Sequence, residues 1–281
     1  MTQSETLPSL ALLFAVLLWG STFVLVKDTL NSVDAFSLVA VRFSIAFVIT
    51  LAILLFKQER LERDTMRDGV ILGALVFLAF ITQTIGLNYT TASNSAFITG
   101  LSVVLVPIVL FFLGKRLVEN DWVACFLAFG GLALLTYKPG LGLNVGDLLT
   151  LACAIIFGFH IVFTGEFVKK RSLLGLMAVQ FGTVAILGIP LALLSGPRLE
   201  SQAVLPIIFL SLFPTLLSYS IQSWSQKRIA QVKTGVIMSA EPVFAAMFAY
   251  LMIGERFTGT QIVGSGLIFV AILVASTRKT K

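Results

Sequence analysis

Three ionisable side chains, Arg42, His160 and Glu241, stand deep in apolar runs, where each costs about 2 to 3 kcal/mol unless it meets a partner or water. Each is a candidate for contact with a solute or for a part in movement. Arg42 could grip a carboxylate through two parallel N–H bonds. The reading favoured here is a structural or gating partner, because Gln180, its counterpart in the internal repeat described below, is neutral. His160 is the only histidine, and one imidazole without other ligands cannot build a metal site, so no metal or other cofactor is expected. Glu241 precedes Pro242, where a missing amide leaves backbone groups unpaired. It reads either as a proton-coupling group or as a structural acceptor. Pro107 and Pro242 interrupt equivalent runs of two halves, as gating helices around a midplane site would; a harmless kink is the competing reading.

Neutral polar residues cluster on helical faces of the same apolar runs. Ser218, Gln222 and Ser225 recur at i, i+4 and i+7, Tyr219, Gln222 and Gln226 share an overlapping face, and Trp224 is adjacent. Such a stripe can line a cavity or supply interhelical hydrogen bonds. Thr82, Gln83 and Thr84 stand at the corresponding place in the first half, and Ser95, Thr99 and Ser102 repeat at i, i+4 and i+7. With Trp19, Ser21 and Thr22 from the first run, and His160 overlying Thr22, the candidate solute-binding set is Trp19, Ser21, Thr22, Gln83, Ser95, Thr99, His160, Tyr219, Gln222 and Trp224. Arg42, Pro107, Glu241 and Pro242 form the gating or coupling set. An aromatic and amide lining with a single arginine suits a neutral or zwitterionic molecule with an apolar body and disfavours highly anionic cargo.

Catalysis finds no support in the motifs. There is no His-Glu-x-x-His helix, no Gly-x-Ser-x-Gly elbow, no pair of aspartates within the runs and no phosphate-binding loop ending in Lys-Ser or Lys-Thr, so neither an enzyme nor an ATP-driven pump is expected. A channel would need a ring of like polar groups, which the pattern does not supply.

The elements that position these residues are ten apolar stretches, each near the ~20 residues that cross a ~30 Å hydrocarbon layer as helix. They run 7–26, 35–56, 69–87, 92–113, 121–137, 147–167, 174–195, 202–225, 234–253 and 259–276. With 57% hydrophobic and 12% charged residues and a mean hydropathy of +0.98, the chain has too little polar surface for water, and the lipid bilayer is its solvent. The net charge of +6 does not indicate nucleic acid, because the basic residues lie in short loops rather than along a stripe. Assigned to alternate sides, 15 of the 20 Lys and Arg fall on one side, and Lys27, Lys138, Arg198 and Arg256 on the other, with Arg42 inside the second stretch. Both termini are therefore expected in the cytoplasm. The residues before the first stretch carry Glu5 and no Lys or Arg, so it is expected to stay as a helix rather than be cleaved. Cys125 and Cys153 read as packing residues.

Shifting the chain by about 140 positions lays Leu18-Trp19-Gly20 over Ile156-Phe157-Gly158, Ala40-Val41-Arg42-Phe43 over Ala178-Val179-Gln180-Phe181, and Gly114-Lys115-Arg116 over Gly254-Glu255-Arg256. Residues 1–140 and 141–281 thus form two repeats. Five crossings each make the repeats inverted, and inversion lets a shared site open to alternate sides.

Trp19-Gly20-Ser21, Arg42-Phe43, Tyr89-Thr90-Thr91-Ala92, Glu241-Pro242-Val243-Phe244 and Gly254-Glu255-Arg256 occur in this order across the two repeats. On these residues the chain resembles the EamA family of the drug/metabolite transporter superfamily over its whole length. Lys115, where the family usually has Glu, departs from the pattern. The resemblance implies an all-α integral membrane protein of a bacterial cytoplasmic (inner) membrane. In it, helices 1–4 and 6–9 surround a central cavity and helices 5 and 10 buttress it. Bacterial members include exporters of amino acids and other small metabolites, so a monomeric secondary exporter of such compounds is expected. An importer of a vitamin- or sugar-like solute is the alternative.

The charge count predicts that cysteines introduced at Glu62 and Ser172 react with an impermeant thiol reagent from the cytoplasm, and cysteines at Ser93 and Gly142 only from outside. Labelling of all four from one side would end the inverted-repeat reading.

Overall fold

Within hydrocarbon a backbone can satisfy its polar groups only as helix or closed barrel, and the apolar stretches of this chain, where described, are helical apart from short breaks. The computed structural model describes residues 3–136, 144–253 and 258–277. Its helices are α1 (Gln3–Thr29), α2 (Ala35–Phe56), α3 (Arg63–Tyr89), α4 (Ala92–Gly100), α5 (Ser102–Phe112), α6 (Glu119–Thr136), α7 (Val145–Phe167), α8 (Leu173–Leu194), α9 (Val204–Leu210), α10 (Ser218–Gln226), α11 (Gln231–Met238), α12 (Glu241–Ile253) and α13 (Gly259–Ser276). A short 3₁₀ turn precedes α9, and a π-helical segment, Ser211–Leu217, joins α9 to α10. Among the described residues the single β feature is an isolated bridge between Val33 and Leu199. Lys138, Gly142, the Gly254-Glu255-Arg256 motif, Arg278, Lys279 and Lys281 lie outside the described residues.

Among the described residues, eight helical segments, counted across tight turns, are long and apolar enough to cross a membrane. Two expected stretches fall short of that measure for visible reasons. The first turn of α6 is Glu119-Asn120-Asp121, and the ninth stretch is divided between α11 and α12. The outer surface is apolar: Ile186, Phe126 and Leu273 are 69%, 68% and 65% exposed, an arrangement suited to lipid and not to water.

Three stretches expected as continuous helices are broken, and the breaks in the fourth and ninth do not fall at Pro107 or Pro242. The fourth breaks at Leu101, whose amide bonds the carbonyl of Ile98 three residues back (3.1 Å). The ninth breaks at Ser239 and Ala240, where the amide of Ala240 bonds the carbonyl of Ile237 in the same way (3.1 Å). Pro107 sits inside α5, six residues beyond the break. Its missing N–H frees the carbonyl of Val103, which accepts instead from the Cys125 thiol of α6 (3.5 Å). Pro242 is the second residue of α12, within the first turn, where a proline costs no hydrogen bond. The break in the eighth stretch, around Pro214, was not anticipated.

The helix ends fall into two rims. On one, Glu5 pairs with Lys233 (3.1 Å), Lys115 with Glu166 (3.1 Å), and Arg171 with Asp64 and Asp68 (2.8 Å each), while Asn120 donates to Thr277 (3.1 Å). On the other, Lys27 donates to the carbonyls of Leu87 and Thr90 (2.8 and 2.6 Å), covering the end of α3, and Thr90 donates to Asp147 at the start of α7 (2.6 Å). Asp34 there caps α2 through the amide of Ser37 (2.9 Å) and accepts from the amide of Arg198 (2.9 Å). Burial pushes its carboxyl up, but the bonds from Ser37 and Arg198 outweigh that and hold it below the ordinary carboxylate range.

α2 packs on α8, α6 on α13, α3 on α7 and α8, and α1 on α10 and α12. The close approach of α1 to α12 requires Gly20, where a Cβ would lie 2.6 Å from Cβ of Phe244 and 2.9 Å from the amide nitrogen of Ala245. Gly158 does the same for α7 against α5, a Cβ there falling 2.8 Å from Cβ of Leu105. Overpacking of this kind costs about 1–3 kcal/mol. Gly20→Val is therefore expected to lower the melting temperature of the detergent-solubilised protein by several degrees, whereas Gly130→Ala, with nothing within 4 Å of the new Cβ, leaves it unchanged or slightly higher. Equal melting of the two variants would show that the α1–α12 contact carries no such constraint.

Candidate functional site

A cavity in the middle of the bundle is lined by Trp19, Thr22, Arg42, Phe80, Gln83, Thr99, Ser102, Phe157, His160, Tyr219, Gln222, Met238 and Glu241. Its volume is about 30 Å³, far below that of a small-ligand site, so the walls stand close together and must part to admit a metabolite.

Twelve of the thirteen lining residues fall into pairs along the chain. Trp19 and Phe157, and Thr22 and His160, are 138 positions apart; Phe80 and Tyr219, Gln83 and Gln222, Thr99 and Met238, and Ser102 and Glu241 are 139 apart. Leu101 and Ala240, at the breaks of the fourth and ninth stretches, are separated by the same 139 positions, and each break has wall residues on both sides of it. Arg42 is the member without a lining counterpart. Gln180, 138 positions on, stands behind the wall and contacts Nε2 of His160 through its amide oxygen (3.2 Å).

An aromatic cluster forms one side. Tyr219 lies edge-on to Trp19 (5.5 Å between ring centres), His160 (5.8 Å) and Phe181 (6.0 Å), with Phe80 at 6.4 Å. Such pairs add about 0.5–1.5 kcal/mol beyond burial. The indole of Trp19 donates to the carbonyl of Pro214 (2.7 Å), which fastens α1 to the π segment. About one turn along α3 and α10 from Phe80 and Tyr219, Gln83 donates to Thr99 (3.0 Å), and Gln222 donates to Gln226 (3.0 Å), which donates to the carbonyl of Ile161 (2.7 Å).

The stripe on α10 thus divides between its two sequence readings. Tyr219 and Gln222 reach the cavity, while Ser225 bonds the carbonyl of Pro8 (2.9 Å), Gln226 bonds α7, and Ser218 bonds back to Phe213 (3.1 Å). Of the candidate binding set, Trp19, Thr22, Gln83, Thr99, His160, Tyr219 and Gln222 line the cavity together. Ser21 bonds back to the carbonyl of Leu18 (2.7 Å), and Ser95 turns to Thr150 of α7 (3.5 Å). Trp224 lies under the guanidinium of Arg228 (4.3 Å). These three stand outside the wall, because a helical face chosen by polarity covers about half a turn and the neighbouring helix claims part of it. Of the gating set, Arg42 and Glu241 line the cavity and Pro107 and Pro242 do not. Sequence reasoning left Phe80, Ser102, Phe157 and Met238 out of the set; Ser102 was recoverable from its spacing to Ser95 and Thr99, and Phe157, Phe80 and Met238 only from their overlays on Trp19, Tyr219 and Thr99, since an apolar residue within an apolar run carries no signal of its own.

A search among known families matches the EamA-like transporter family at residues 6–137 and again at 144–277. The chain belongs to that family. An "uncharacterized transporter" of Archaeoglobus fulgidus is 34% identical over 272 residues, covering 96% of this chain and 85% of the relative. The threonine/homoserine exporter RhtA of Salmonella typhimurium is 29% identical over 286 residues, covering 98% and 91%. A crystal structure at 20% identity superposes with a TM-score of 0.78 over 98% of this chain and 97% of the other, which shows a shared fold. The chain is thus a membrane transporter of the EamA family, and its relatives are named as transporters rather than enzymes.

Because Tyr219 is 3% exposed and braced by four rings, Tyr219→Ala is expected to destabilise the protein by about 3–5 kcal/mol. Tyr219→Phe keeps the ring and should melt within about 1 kcal/mol of the parent. Equal melting of the Ala variant and wild type would show that the ring cluster does not brace the wall.

Proposed function

We propose that this chain is a secondary exporter of small neutral or zwitterionic metabolites, amino acids foremost, working by alternating access in the cytoplasmic membrane. Its ten crossings form two inverted repeats, residues 1–140 and 141–281, with both termini in the cytoplasm. The observation that carries this reading is the pairing of twelve lining residues at 138 or 139 positions, since a site built from the same positions of two oppositely inserted repeats can be exposed equally to either side. The packing supports it. Exchanging the halves carries α3 on α7 into the eighth stretch on α1, and α1 on α12 into α7 on α5, while α2 on α8 and α6 on α13 map onto themselves.

For the cargo, one cation and one carboxyl group among amides, hydroxyls and aromatic rings suit a molecule carrying both charges and an apolar body. The named activity of RhtA is export of threonine and homoserine, in accord with that chemistry. The S-adenosylmethionine/S-adenosylhomocysteine transporter of Chlamydia muridarum, 24% identical over 287 residues, also carries an amino acid derivative by its name.

Proteoliposomes preloaded with unlabelled amino acid should accumulate the same labelled amino acid by counterflow. Gln222→Leu removes one amide from the wall and should weaken apparent affinity by about 3- to 10-fold at normal membrane levels. Absence of counterflow across neutral, aromatic and hydroxylated amino acids would overturn the amino acid reading. An unchanged affinity in Gln222→Leu would assign that amide to packing.

A further inference from the structure

Arg42 is the lining residue that breaks the pairing of the two halves, and its guanidinium is incompletely satisfied. The side chain is 3% exposed, its Cζ lies 4.8 Å from the ring centre of Phe80 and 5.8 Å from that of Phe43, and its Nε donates to the hydroxyl of Thr215. Nη2 is buried without a hydrogen-bond partner, although a charged donor in such a place is among the most unfavourable groups to leave unpaired. None of the ion pairs among the described residues includes Arg42.

We propose that the open edge of Arg42 receives a carboxylate of the cargo, so that the transported solutes are carboxylic acids. The proposal rests on the transport reading and names the chemical class of its substrate. In a guanidinium, Nε–H and one N–H of Nη2 point to the same side and form a fork that matches the two oxygens of a carboxylate. One oxygen on Nη2 fills the vacant donor directly. The second reaches Nε when Thr215 gives way, and Thr215 can do so because its own hydroxyl donates elsewhere, to the carbonyl of Leu210 (2.8 Å). Release of Arg42 therefore strands no donor, while capture of a carboxylate satisfies one. The ring of Phe80 holds the guanidinium plane in place, and the aromatic wall on the same side is left for the body of the solute.

The test uses the full chain in nanodiscs, with Trp122→Phe and Trp224→Phe so that Trp19 alone reports from the cavity by its fluorescence. Threonine, leucine and phenylalanine are each titrated against their carboxamides, which keep the shape and the ammonium and lose the carboxylate. At least one acid is expected to bind saturably, with its amide weaker by about 10-fold or more. Arg42→Lys, which keeps the charge but not the fork, should narrow that ratio, and Arg42→Met should abolish it. Equal binding of acids and amides to wild type, retention of the preference in Arg42→Met, or no saturable binding by any acid would each overturn the proposal. If Arg42→Met does not fold, the wild-type ratio and Arg42→Lys decide. Counterflow of the same pairs keeps the two readings apart. Acid-selective binding without counterflow removes the transport reading and leaves the carboxylate site, whereas counterflow of acid and amide alike removes the carboxylate site and leaves transport.

Discussion

Inside hydrocarbon no bulk water can bond a backbone carbonyl that has lost its amide partner, and the interior of this bundle follows from how such carbonyls are satisfied. Pro107 frees Val103, and the Cys125 thiol of α6 answers it. Around Pro214 the ladder shifts to the π pattern, and the Thr215 hydroxyl bonds the Leu210 carbonyl within it. The carbonyl of Pro214 itself takes the indole of Trp19, and those at the end of α3 take the ammonium of Lys27. Three of these four repairs come from another helix. Irregular backbone and interhelical contact are one arrangement here: a break is tolerated where a neighbour supplies the missing donor, and the neighbour is thereby held in register.

The cavity wall shows a symmetric scaffold carrying asymmetric chemistry. Gln83 with Gln222, Trp19 with Phe157 and Phe80 with Tyr219 keep their chemical type across the two halves, and they supply amides and rings that any small solute can use. Thr22 with His160, Ser102 with Glu241 and Arg42 with Gln180 do not. The ionisable groups therefore enter from one half at a time. On the proposed alternating-access cycle, a shared frame opens both ways only while its two halves remain interchangeable in shape, whereas discrimination among solutes needs charges at single places. Pairing of the backbone breaks and small residues, Leu101 with Ala240 and Gly20 with Gly158, with varied side chains on the wall is in accord with both requirements.

The amino acid order alone determined the membrane setting, the helical class, the repeat and the family, because these depend on hydrophobic runs, loop charge and spacing, which are properties of the chain in one dimension. It also reached seven of the ten candidate binding residues that share the cavity, since polarity within an apolar run already marks a residue facing protein or water. Only the tertiary structure decided which face of each helix met the cavity and which met a neighbour. Ser225 and Gln226 look like Gln222 in sequence, yet α1 and α7 claim them. Phe80 and Met238 look like lipid-facing residues, yet they line the wall. The break at Leu101 likewise has only Gly100 in its turn to announce it, and Gly158 and Gly182 lie in helices that do not break. Rotation of a helix about its axis is fixed by the summed contacts of its neighbours, and no local pattern encodes that sum.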